Sequence, residues 1–141
     1  MEFFRNVIVF DSSDLEKVSA FWASVFNGSV IADDERHTVI DDKGEWRLWI
    51  QLNPTHVKPE WPNGIQQQQI HLDFHVLNPH EAHKELTELG ATILQAAESL
   101  DSLEGFQVYA DPAGHPFCIG WGQPSAEQLT AFLKNRFETH K

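Results

Sequence analysis

The spacing of apolar positions changes along the chain, and each change marks an element. Val7-Ile8-Val9-Phe10 is a β-branched and aromatic run that predicts a buried strand. Leu15, Val18, Phe21, Trp22, Val25 and Phe26 then recur at helical spacing, preceded by the capping box of Ser13 and Glu16 and closed by Asn27-Gly28. Residues 29–32 and 38–40 predict two further strands, with Asp41-Asp42-Lys43-Gly44 as a hairpin turn. Residues 46–52 alternate in part and predict a fourth strand.

A proline-bearing connector follows over residues 54–69, with Pro54, Pro59 and Pro62 fixing an extended crossing. The pattern then restarts. Residues 70–76 alternate strictly, placing Leu72, Phe74 and Val76 on one face and His71, Asp73 and His75 on the other. Asn78-Pro79 opens a second helix whose apolar stripe is Ala82, Leu86 and Leu89, and Gly90 ends it. Strands are predicted over 91–94, 105–109 and 116–120, with Asp111-Pro112-Ala113-Gly114 as a turn. Gly44 lies 16 residues after Gly28, and Gly105 lies 15 after Gly90, so the two halves share one spacing. Each half reads β-α-β-β-β, and a half that short must bury one sheet face against its twin. The expected architecture is α+β: two tandem modules, about 5–53 and 70–122, forming a curved mixed sheet around a cavity. One domain over 1–141 is expected, completed by a C-terminal helix at about 125–139. Ser125 and Gln128 cap that helix, and its stripe of Leu129, Phe132, Leu133 and Phe137 is expected to cover the back of the sheet or to meet a second copy.

Composition narrows the partners. With 10 Lys+Arg against 21 Asp+Glu the formal charge is −11, which repels nucleic-acid phosphates. At 41% apolar and 11% aromatic residues the chain buries a real core. Cys118 is the single cysteine, so no intrachain disulfide forms and a cysteine-only zinc site is excluded. No apolar run is long enough to span a membrane, and the start lacks a leader-like pattern, so a cytoplasmic location is expected.

Chemistry then follows from the faces. Arg47, Trp49 and Gln51 share the face opposite Leu48, Ile50 and Leu52, while Cys118 lies opposite Phe117 and Ile119. Polar groups on an open sheet face, rimmed by aromatics, describe a small-molecule pocket. Its expected lining is Arg47, Trp49, Gln51, His71, Asp73, His75 and Cys118. His80 and His83 are expected to be solvated on the second helix, and His115 to complete the last hairpin.

Asp14-Leu15-Glu16 with Phe21-Trp22, His71-Leu72-Asp73-Phe74, Leu89-Gly90-Ala91-Thr92, and the run Val108-Tyr109-Ala110-Asp111-Pro112-Ala113-Gly114-His115-Pro116-Phe117-Cys118 carry a further signal. In this order the chain resembles the vicinal oxygen chelate superfamily of glyoxalases, bleomycin-resistance proteins and extradiol dioxygenases, most closely its small glyoxalase-like members. The resemblance implies the two-module fold, frequent dimerisation and, in metal-dependent members, four ligands from the first and last strands of both modules. The equivalent positions here are Val7, Gln51, His71 and Cys118, the last standing where glutamate is usual. The implied site is therefore degenerate, and no metal is the leading expectation. The alternative is one divalent ion held by His71, Gln51 and Cys118; Asp73 and His75 sit about 7 Å per two-residue step along the strand, which makes joint ligation with His71 awkward. Three functions are expected in that order: binding of a small apolar or aromatic molecule; a metal-dependent lyase, isomerase or dioxygenase; and a structural or interaction protein with an incidental cavity. A homodimer and a small-molecule ligand are the expected partners, with neither nucleic acid nor membrane among them.

Overall fold

A computed structural model describes residues 1–137, so the last two positions of the predicted C-terminal helix, 138 and 139, lie outside the described residues. Its first half runs β1 (Ile8–Ser12), α1 (Leu15–Val25), β2 (Ser29–Ile31), β3 (Arg36–Ile40) and β4 (Trp46–Leu52). The second half runs β5 (Leu72–His75), α2 (Pro79–Glu88), β6 (Thr92–Gln95), β7 (Gly105–Ala110) and β8 (Pro116–Trp121), and α3 (Ala126–Phe137) follows. The α+β fold of two β-α-β-β-β modules is thus present. Each module closes its own four-stranded mixed sheet, in the orders β1-β4-β3-β2 and β5-β8-β7-β6. In both, the first strand pairs in parallel with the last and the remaining pairs are antiparallel. The internal repeat is therefore one of topology and not of spacing alone.

Local chemistry sets the element ends. Asp14 rather than Ser13 caps α1, its carboxylate accepting from the Lys17 N–H at 3.0 Å, while Ser12 Oγ accepts from the Asp14 N–H. Asn78 caps α2 in the same way, with Pro79 at the first helical position. At α3 the capping box is reciprocal: Ser125 N–H donates to Gln128 Oε1, and Gln128 N–H donates to Ser125 Oγ. Gly28 has no room for a side chain, because a Cβ there would meet the Ile40 carbonyl.

The core belongs to both modules. Val18, Phe21 and Trp22 of α1 pack on Val39, Leu48 and Ile50 of their own sheet. The same helix also reaches the second sheet, where the Trp22 ring lies 5.1 Å from Phe117 and 6.2 Å from Phe74. Trp22 is fully buried, and such aromatic pairs add about 0.5–1.5 kcal/mol each beyond the area they bury. A polar bond seals the junction: Trp22 Nε1 donates to Asp111 Oδ2 at 2.8 Å, across 89 residues of sequence. His115 Nδ1 donates to the same oxygen at 2.7 Å, and its ring stacks on Phe10 at 4.8 Å. His115 therefore does more than complete its hairpin; it ties β1 to the β7–β8 turn.

His83 corrects the reading that both helix histidines are solvated. Its Nδ1 lies 2.8 Å from the hydroxyl of fully buried Tyr109, which also accepts from Gln107 Nε2 at 2.6 Å. His80 stays exposed and pairs with Asp101 at 2.7 Å. No described helix is long and apolar enough to cross a membrane.

Candidate functional site

Strand pleating decides what each sheet offers to solvent. In β5, Leu72 and Phe74 turn toward the core, which leaves Asp73 and His75, with His71 just before the strand, on the opposite, exposed side. Asp73 pairs directly with Cys118 of the parallel neighbour β8, so both side chains rise from the same face. Phe117 and Ile119 flank Cys118 and point into the core. Beyond them on that face stands Gly120, where a Cβ would lie 3.5 Å from Asp73 Oδ1; its small size keeps the surface beside the carboxylate open.

One imidazole nitrogen of His71, one carboxylate oxygen of Asp73 and the Cys118 sulfur lie within 4.8 Å of one another. Donors about a tetrahedral ion at ~2.0–2.3 Å stand roughly 3.3–3.8 Å apart, so a contraction of about 1 Å brings the three onto one ion. Asp73 joins the set because its partner is Cys118 across the strands, not His71 along one strand. Burial pushes the Cys118 thiol up from its ordinary pKa, and the Asp73 carboxylate adds to the shift. A cation at this point would oppose both effects and favour the thiolate. His75 extends the cluster, its Nε2 lying 3.6 Å from Asp73 Oδ1.

The other expected site residues stand on the first sheet. Trp49 pairs with Val9 and Thr38, and Gln51 with Asp11 and Arg36. The Arg36 guanidinium sits 4.0 Å over the Trp49 ring, and Trp46 lies 6.0 Å from it. Trp49 Nε1 is buried with no hydrogen-bond partner among the described residues. Gln51 lines a separate cleft of about 360 Å³ with Asp33, Glu35, Arg36, Leu52 and Pro54. Val7, directly before β1, offers no donor. Arg47 is engaged in the β3–β4 turn, its Nε donating to Asp41 Oδ2 at 2.8 Å. Burial works to raise the Asp41 carboxyl, but the N–H groups of Glu45 and Lys43 and the Arg47 guanidinium together hold it below the usual carboxylate range. Arg36 was not among the expected site residues; the signal for it was its position two residues before Thr38 on the open face of β3.

A larger groove of about 940 Å³ opens between the start of α2 and α3, lined in part by Val76, Ala82, Trp121, Leu129 and Phe132. His75, Glu81 and Glu85 also line it, but among the described residues they form no converging three-donor group.

Comparison with known proteins identifies the family and the fold. A family model described as a glyoxalase-like domain matches residues 7–120. A metallothiol transferase FosB of Lysinibacillus sphaericus (strain C3-41) is 28% identical over 138 residues, covering 96% of this chain and 88% of that protein. The crystal structure of the fosfomycin resistance protein FosX from Listeria monocytogenes, tetragonal form, superposes with a TM-score of 0.63 at 18% identity, covering 93% of this chain and 99% of that one. A mutant of the same Listeria protein, complexed with Mn(II) and a dihydroxypropylphosphonic acid, gives a TM-score of 0.60 at 17% identity over 94% of this chain and 99% of that one. Family model, two-module topology and open-faced second sheet agree: the chain belongs to the glyoxalase-like family, within the vicinal oxygen chelate superfamily.

Proposed function

We propose that the chain binds a small, oxygen-bearing molecule at a divalent metal ion held on the open face of the second sheet, and that it works as a homodimeric metalloenzyme of the lyase, isomerase or transferase kind. The convergence of His71, Asp73 and Cys118 within 4.8 Å carries this reading. It moves the balance from an empty site toward a filled one, because Asp73 supplies a ligand that Val7 and Gln51 do not.

When bound, a divalent ion supplies Lewis-acid polarisation of the ligand's oxygens. The chain's own groups do the rest. Asp73 of β5, His71 just before that strand and Cys118 of β8 would hold the ion. His75 orients the Asp73 carboxylate and, being exposed beside it, is the group we assign to accept a proton from the bound molecule. On the first sheet the Arg36 guanidinium covers the Trp49 ring and the Trp49 indole nitrogen is buried, so neither is assigned to the bound molecule.

The relatives support the class of chemistry. One is named a metallothiol transferase, and another was crystallised with Mn(II) and a small phosphonate. Dimerisation is supported by exposed apolar residues on the two open faces: Val9 is 42% exposed, Ile31 52% and Phe106 54%. The lone, unpaired cysteine suits a reducing, cytoplasmic setting.

Elemental analysis of protein purified without added metal tests the reading. Wild type is expected to carry close to one divalent ion per chain and His71→Ala much less. Metal-free wild type whose melting temperature is unmoved by divalent ions would leave only metal-free ligand binding.

A further inference from the structure

We infer that the ion held here is a thiophilic one of the zinc class, ligated by the Cys118 thiolate together with Asp73 and His71, and that manganese is a poor occupant. This rests on the metal-binding reading above and adds to it the identity of the ion.

The donor set decides the matter. An imidazole, a carboxylate and a thiolate make an N, O, S set, which suits zinc and cobalt in tetrahedral surroundings. Manganese prefers oxygen-rich octahedral sites, and thiolate ligation gives it little. The described groups near the cluster do not rebuild an oxygen-rich shell. The nearest additional titratable group on the face is His75, 3.6 Å from Asp73, and Gln51 lies on the other sheet. Three protein ligands also leave the fourth tetrahedral position open on the solvent side, as a site for chemistry requires.

Position favours the sulfur as a ligand. Cys118 is only 6% exposed, whereas His71 and Asp73 are exposed. The sulfur thus forms the floor of the site, and Asp73 of the edge strand β5, with His71 just before it, closes over it. On binding, the sulfur–metal bond forms as the S–H bond breaks, and the proton leaves to solvent. Asp73 brings one negative charge and the thiolate another, so together they neutralise the bound dication.

The experiment is a cobalt and manganese titration of the chelator-treated full chain in its native oligomeric state. Cobalt is expected to give a sulfur-to-metal charge-transfer band in the near ultraviolet together with intense tetrahedral visible bands. Zinc is expected to bleach both stoichiometrically, while manganese competes at least about 100-fold more weakly. Cys118→Ser should lose the charge-transfer band, and its unchanged far-ultraviolet circular dichroism would show that the fold persists. Exposed Asp73→Asn serves as the second variant, because it threatens the fold least. It should keep the charge-transfer band while weakening zinc about 10- to 100-fold. Manganese binding as tight as zinc, or cobalt binding without a charge-transfer band, overturns the inference and leaves the metal-binding reading standing. Failure of every ion to bind overturns both.

Discussion

Asp41 shows how a single buried side chain at the end of β3 can matter more than its place in an acidic turn suggests. Its carboxylate accepts from two backbone N–H groups and from Arg47, and that turn sets the approach of β3 to β4. Because the folded pKa is depressed, its contribution to stability is fully present above the unfolded carboxylate pKa and is lost as pH falls through the lower folded value. Asp41→Asn is therefore expected to lower the unfolding free energy by about 1–2 kcal/mol at neutral pH. In denaturant melts the gap to wild type should close in acid; a gap that stays constant with pH would refute the assignment. The sequence marked Asp41 only as part of an acidic turn, since nothing local says which carboxylate bends back onto Lys43, Glu45 and Arg47. His71, Asp73 and Cys118 were legible individually, by alternation. The family resemblance already put His71 with Cys118; that Asp73 joins them was not legible, because it depends on the parallel register between strands more than forty residues apart in sequence.

Among the elements, α3 stands apart. It has a capping box and an apolar stripe, both legible in the sequence, yet none of its described residues is buried. Leu129 and Phe132 are 39% and 41% exposed, and they edge the groove toward α2 without filling it. The double substitution Leu129→Ser, Phe132→Ser is expected to lower the unfolding free energy by no more than about 1–2 kcal/mol, because neither side chain is fully buried. A larger loss in thermal melts would mean that α3 covers the sheet after all. The caps at Asn78 and Ser125 stand where the sequence put them, whereas β1 and β5 begin one or two residues later than their apolar patterns suggest. Periodicity sees a buried face, whereas the choice of Asp14 over Ser13 as cap turns on which side chain reaches the Lys17 N–H.

For the molecule as a whole, the repeat was the most legible feature, and its assembly the least. Topology duplicates cleanly because both halves bury the same face. The junction does not duplicate: Trp22 reaches Asp111, and no repeat pattern announces a bond between non-equivalent positions. The open faces remain. With their apolar residues exposed in one chain, light scattering at micromolar concentration is expected to give twice the chain mass of 16.1 kDa. Val9→Glu with Phe106→Glu should return it to the mass of one chain while circular dichroism stays native. A dimer that survives both charges would move the interface elsewhere.

The parallel pairing of β5 with β8 carries one more consequence. Because side chains alternate, losing a single residue within β5 would slide the strand by one step against its neighbour. His71 and Asp73 would then turn inward among Phe117 and Ile119, and Leu72 and Phe74 would face water. Metal affinity and core stability are thus written in the same four residues, and an indel there cannot damage one while sparing the other.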